Sequence, residues 1–141
     1  MNVLEALEAR RSIRVYKPTP VAPEVIKSII EAANRTPSWA NTQPWEVYVV
    51  SGTPLENLRK RYLESFRKGI EPNFDIPAPK SWPAAHDERI NQLGAGRFAT
   101  LGIERDDKEA RRKVTEMNFN FFGAPHVIFL CMDRDLSHWS L

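Results

Sequence analysis

Only two stretches of this 141-residue chain read as β-strands, and that shortage constrains the fold more than any other feature. Residues 45–50 are almost wholly apolar, and residues 126–132 run His-Val-Ile-Phe-Leu-Cys-Met. A two-stranded sheet is rarely stable without more strands or a packed layer of helices. Helical patterns fill most of the remaining chain. The expectation is therefore an α+β fold with helices packed on a small, mainly antiparallel sheet. That sheet would be completed by a missing C-terminal part or by a partner. The tail from Asp133 to Leu141, which holds Trp139 and Leu141, reads as leading into another element. Residues 1–141 are accordingly read as a single, incomplete domain.

The helices are marked by their ends and their apolar spacing. Asn2 is placed to cap a first helix, with Glu5 reaching back as a capping box. Val3, Leu4 and Leu7 give that helix an apolar stripe, which dissolves near Arg10. Residues 11–20 hold two prolines and no helical period, so they read as extended. Pro23 opens a second helix whose Val25, Ile26, Ile29, Ile30 and Ala33 share one face. Thr53-Pro54-Leu55-Glu56 looks like another capping box, starting a helix that Gly69 can end. Residues 70–83 carry four prolines and form a long loop, the kind that usually serves function or covers something. Further helical patterns occupy roughly 84–101 and 107–121.

Charge and cysteine content narrow the function classes. With 20 Lys and Arg against 18 Asp and Glu, the net charge is only +2, without the concentrated basic excess of a nucleic-acid binder. Arg59, Lys60, Arg61, Arg67 and Lys68 are interleaved with Glu56 and Glu64 and read as a solvated face. The single cysteine, Cys131, excludes an intramolecular disulfide, and its apolar run predicts a buried thiol. No apolar stretch approaches the ~20 residues of a membrane helix. The acidic residues near the N-terminus do not suit a signal peptide, so the expected location is the cytoplasm. His86, His126 and His138 lack metal-ligand spacing, and no metal is expected. Cys131 and His126, five apart on one strand, fall on opposite faces and cannot act as a nucleophile–base pair.

Two segments carry groups suited to chemistry. In Arg10-Arg11-Ser12-Ile13-Arg14, an extended path would put Arg10, Ser12 and Arg14 on one side. Two guanidinium forks and a hydroxyl suit a phosphate dianion. The alternative is an exposed basic helix end, favoured by the macrodipole. In the second segment, 37–45, Pro44 biases Gln43 away from helix. Asn41 and Gln43 would then lie two apart on extended chain with their amides facing one way. Each amide offers a donor and an acceptor, which can read the pyrimidine edge of a flavin or a nucleobase. The alternative is a turn whose Ser and Asn side chains bond their own backbone.

Taken together, Arg10-Arg-Ser-Ile-Arg-Val-Tyr16 with Pro18, Pro37-Ser-Trp-Ala-Asn-Thr-Gln-Pro-Trp45 and Phe121-Phe-Gly-Ala-Pro-His-Val-Ile-Phe129 resemble the nitroreductase family. The motifs span most of the chain in the family's order and approximate spacing. The resemblance implies FMN as cofactor, with Arg10, Arg11, Ser12 and Arg14 on its phosphate and ribityl chain. It implies that Pro37, Ser38, Trp39 and Asn41, with Gln43 as a further candidate, approach the flavin from the other subunit. It also implies an intertwined homodimer with FMN at the interface, which would make good the shortage of strands. Family chains usually continue further, with a glycine-containing loop beside the flavin, a late basic residue on the phosphate and a C-terminal arm.

The implied activity passes electrons from NADH or NADPH to a small-molecule acceptor, a nitroaromatic or a quinone, by a ping-pong mechanism. Hydride chemistry belongs to such a cofactor, and the protein supplies position and electrostatics. No side chain is named as a catalytic acid or base. Two other readings stay open: a non-catalytic relative that binds flavin or another phosphorylated ligand, and a family member with different flavin chemistry, such as dehalogenation or ring oxidation.

Overall fold

The computed structural model describes residues 2–136 of the chain. His138, Trp139 and Leu141 lie outside the described residues. The elements, in order, are α1 (Val3–Ala9), α2 (Pro23–Ala33), β1 (Trp45–Ser51), α3 (Gly52–Arg67), α4 (Ala84–Thr100), α5 (Lys108–Phe119) and β2 (His126–Met132). Short 3-10 turns occupy Trp39–Asn41 and Phe121–Gly123. The fold is α+β, and the chain divides into two compact units.

The first unit holds residues up to Arg59 together with those from Phe121 onward. Its centre is the antiparallel pair β1–β2, registered from Trp45 opposite Met132 to Ser51 opposite His126. Because side chains alternate across a strand, Val47, Val49, Ile128 and Leu130 share one face. Tyr48, Val50, Val127 and Phe129 share the other, with Glu46 and Cys131. Neither face is sealed. Leu130 is 74% exposed and Tyr48 53%. Cys131 is exposed too, which corrects the expectation of a buried thiol. An apolar run predicts burial only where the sheet is covered on both sides, and here it is not.

Local signals are obeyed closely at α1. The Asn2 carboxamide oxygen accepts the Glu5 N–H at 2.9 Å, and the Glu5 carboxylate accepts the Asn2 N–H at 2.8 Å. The stripe of Val3, Leu4 and Leu7 is nonetheless exposed. Pro23 stands at the first turn of α2 as its sequence suggests. At α3 the structure departs from the capping box read at Thr53–Glu56. The helix starts at Gly52, whose φ of +56° takes the chain straight out of β1. Thr53 therefore sits inside the first turn, and the Glu56 carboxylate accepts a bond from the Arg59 guanidinium instead. Leu55, on the same turn, is fully buried.

The second unit, Lys60–Asn120, is helical. Gly69 ends α3 at φ +67°, with its N–H on the Phe66 carbonyl and the Ile70 N–H on that of Ser65. Those two bonds satisfy carbonyls that a helix end leaves orphaned. Phe66 stacks on Phe119 with ring centroids 4.6 Å apart, and Val114 is buried. Arg67 grips Glu116 with two bonds, of 3.0 and 2.8 Å. Arg111 lies 4.1 Å over the Phe98 ring, a cation–π contact. Residues 70–83 form the long loop that their prolines predict, and Gly94 and Gly96 lie inside α4. Among the described residues, no helix is long and apolar enough to cross a membrane.

Candidate functional site

The first candidate segment begins where α1 ends. Arg10 has φ −56° and ψ 130°, so the chain leaves the helix there for an extended path, and 10–16 carry no regular structure. The arginines then part company. The Arg11 guanidinium turns back and donates to the carbonyls of Glu8 and Arg10, at 2.6 and 2.9 Å. That is the helix-end role a cation takes near unsatisfied carbonyls. Arg14 makes one long contact, 3.4 Å, with the Ser12 carbonyl. The Arg10 guanidinium and the Ser12 hydroxyl are exposed and have no partner among the described residues. Three donor groups are thus left near one stretch of backbone.

The second segment adopts a backbone that its sequence does not announce. Ala40, Asn41 and Gln43 have φ of 48°, 56° and 44°. Asn41 and Gln43 are therefore not on extended chain, and the alternation argued from Pro44 does not apply to them. The left-handed region costs an ordinary residue roughly 1–2 kcal/mol, because Cβ crowds the next carbonyl oxygen. Asn tolerates it better. Gln43 is the worst placed, since Pro44 disfavours all but extended geometry in the residue before it.

Three hydrogen bonds hold this turn. The half-buried Ser38 takes two of them, its hydroxyl oxygen accepting the Gln43 N–H at 2.9 Å and its carbonyl the Asn41 N–H at 3.1 Å. The Thr42 N–H reaches the Trp39 carbonyl at 3.1 Å. Pro44 is buried and anchors the far end. Pro37, Trp39, Asn41 and Gln43 are exposed, and neither carboxamide has a partner among the described residues. A turn bonding its own backbone, one of the alternatives weighed for this segment, is present through Ser38. The amides remain free as well.

The third matching segment enters β2. Phe121 and Phe122 have φ of 49° and 53°. All five non-glycine residues with positive φ among the described residues thus lie in two of the three motifs. Such strain clusters where the surrounding structure overdetermines a conformation, often at binding sites. Here the Arg59 side chain, only 12% exposed, donates to the Ala124 carbonyl as well as to Glu56. Arg59 therefore leaves the solvated basic face expected for it. Phe121 packs edge-on against Phe129, centroids 6.0 Å apart. Next to it, His126 Nε2 accepts the Val21 N–H at 2.9 Å, which puts the imidazole proton on Nδ1. That Nδ1 is buried without a partner among the described residues. His126 also lines an open, mainly apolar groove of about 460 Å³ with Ile26, Ile30 and Val49. None of the candidate residues lines that groove.

No hydrogen bond or ion pair joins the 10–14 segment to the 37–43 loop among the described residues. The donor set they present is nonetheless of the right kind for FMN: cations and a hydroxyl for a phosphate, free carboxamides for a ring edge that alternates carbonyls with an N–H. Arg59 and His126 escaped the sequence reading as positioning groups. Their partners are 65 and 105 residues away along the chain, beyond any local signal.

Comparison with known proteins gives a consistent result. The profile of the Nitroreductase family matches residues 7–140. A nitrobenzene nitroreductase of Ectopseudomonas oleovorans is 35% identical over 136 residues, covering 94% of this chain and 59% of that protein. The solved structure of an FMN- and NADPH-dependent nitroreductase, NfnB, from Sphigopyxis sp. strain HMH superposes with a TM-score of 0.90 at 33% identity. It covers 98% of this chain and 63% of that one. The FMN-dependent nitroreductase NfnB of Mycobacterium smegmatis, solved in complex with NADPH, gives 0.87 at 29% identity, over 95% of this chain and 60% of that one. The chain therefore spans about three fifths of the length of these relatives.

Proposed function

The chain belongs to the nitroreductase family, and from that premise we propose that it is an FMN-dependent oxidoreductase domain. It passes electrons from NADH or NADPH to a small organic acceptor, a nitroaromatic or a quinone, by a ping-pong mechanism. When bound, FMN would supply the hydride acceptance and donation. The relatives' dependence on FMN and NADPH and their nitroaromatic names support the reading.

The chain's own residues bind and orient. Arg10 and Arg14, with the Ser12 hydroxyl, hold the phosphate. Arg11 helps by closing α1 and fixing the path of the backbone that follows. Asn41 and Gln43 meet the ring edge with their carboxamides, and Pro37, Ser38 and Trp39 complete that wall. The carrying observation is the 37–44 loop itself: a strained turn whose outward polar groups have no partner among the described residues. Backbone strain of that size persists where a site needs it.

We propose further that the protein acts as a single domain within a cytoplasmic homodimer, with FMN between the subunits. The uncovered apolar groups support a partner surface. Val3, Leu4 and Leu7 of α1 and Ile128 and Leu130 of β2 are all exposed. Each such side chain, when fully buried, contributes about 1.5–3 kcal/mol.

A visible spectrum of the purified chain tests the assignment. It should be yellow, and flavin absorbance should be lost in the Arg10→Ala/Arg14→Ala double variant while the far-ultraviolet circular dichroism is retained. Steady NADPH oxidation with a quinone should accompany the colour. A colourless chain that ignores added FMN would defeat the proposal.

A further inference from the structure

We propose that Ser38 is a positioning residue, a latch that keeps the 39–43 turn left-handed so that Trp39 and Asn41 face the flavin. The inference rests on the functional reading above and assigns Ser38 a role exerted through the loop. Three of the four residues from Ala40 to Gln43 occupy the left-handed region, and none is glycine. Such a turn needs restraint at the residues that resist it most. Gln43 is that residue, squeezed between its own φ of 44° and the buried ring of Pro44. The Ser38 hydroxyl oxygen takes the Gln43 N–H, and the Ser38 carbonyl takes the Asn41 N–H. One residue therefore closes the turn at two points. Ser38 is half-buried, whereas Trp39, Asn41 and Gln43 project outward. That division of labour is what a latch and a displayed surface require.

Removing the hydroxyl should leave the Gln43 N–H without its acceptor and let the turn relax toward ordinary backbone. Glycine at position 40 lowers the strain that the latch opposes, so it should compensate for a latch defect. It cannot replace a lost side-chain contact to FMN. This difference separates the two roles that Ser38 can play.

The test combines amide exchange at Gln43, read by NMR on the flavin-free chain, with titration of FMN. Ser38→Ala should speed Gln43 exchange and weaken FMN binding roughly tenfold, the worth of one lost hydrogen bond. Ser38→Thr, which keeps the hydroxyl, should hold Gln43 exchange as slow as in the unsubstituted chain. Ser38→Ala/Ala40→Gly should recover most of the affinity. Unchanged Gln43 exchange in Ser38→Ala would overturn the latch. An affinity loss that Ala40→Gly fails to recover would also overturn it and make Ser38 a direct ligand. If the unsubstituted chain takes up no FMN while Ser38 still governs Gln43 exchange, the functional reading falls. The flavin half of this inference falls with it, and the latch stands.

Discussion

Replacing Ala40 with glycine should make the protein more stable, the reverse of what glycine does almost everywhere else. Ala40 sits at φ 48° and ψ 24°. Its Cβ there costs about 1–2 kcal/mol relative to right-handed backbone. Glycine removes that penalty entirely. It also loosens the unfolded chain, which takes back about 0.4–1 kcal/mol. The difference leaves a gain of about 0.8 kcal/mol at mid-range. For a chain of this size, that corresponds to a rise in Tm of about 1–4 °C. Ala32, exposed within α2, provides the control. Glycine there should cost about 1 kcal/mol, because it only adds backbone freedom to a helix. Urea unfolding of the unsubstituted chain and both variants, followed by circular dichroism, gives the comparison directly. The two substitutions should move the midpoint in opposite directions at a constant slope. If Ala40→Gly lowers the midpoint as Ala32→Gly does, residue 40 is not left-handed, and the account of the loop fails.

Two further outcomes follow from the packing and the charges. Leu55 is 1% exposed, so Leu55→Ala should cost about 2–5 kcal/mol, and a urea midpoint close to that of the unsubstituted chain would show the site to be open. The Glu116 carboxyl is held below the ordinary glutamate range chiefly by the two hydrogen bonds from Arg67; desolvation opposes them, and the charges of Arg67, Arg112 and Lys113 add to the lowering. A lowered folded-state pKa stabilises above the unfolded value, and the contribution disappears as pH falls through the folded one. Glu116→Gln should therefore flatten the loss of stability on acidification below the ordinary glutamate range, and parallel acid limbs in the two proteins would count against the pair.

Much of the architecture is written locally. The Asn2–Glu5 box, Pro23 at the start of α2 and the stop at Gly69 all depend on bonds between residues a few positions apart. The strand at 126–132 is legible because seven residues in a row suit a pleated surface. Thr53–Glu56 shows the limit of such signals. The motif is intact, yet β1 runs directly into α3 through Gly52, and Glu56 finds Arg59 instead. A cap motif acts only if the chain turns where the motif stands.

The candidate site divides in the same way. From the sequence came the two polar segments and their family resemblance, because residue identity decides which groups can grip an anion or read a ring edge. The sequence did not show that Arg11 would spend its guanidinium on α1, leaving Arg10 free, nor that Asn41 and Gln43 would be left-handed. Nor did it show that Cys131 would stay exposed. The first two outcomes rest on short-range bonds that compete with other local choices, and the exposure of Cys131 on which faces of a two-stranded sheet are covered; contacts such as Arg59 to Ala124 and Val21 to His126 lie beyond any local signal. Composition and spacing determine what each residue is able to do. Only the tertiary structure decides which hydrogen bonds are already taken, and hence which groups remain for a ligand.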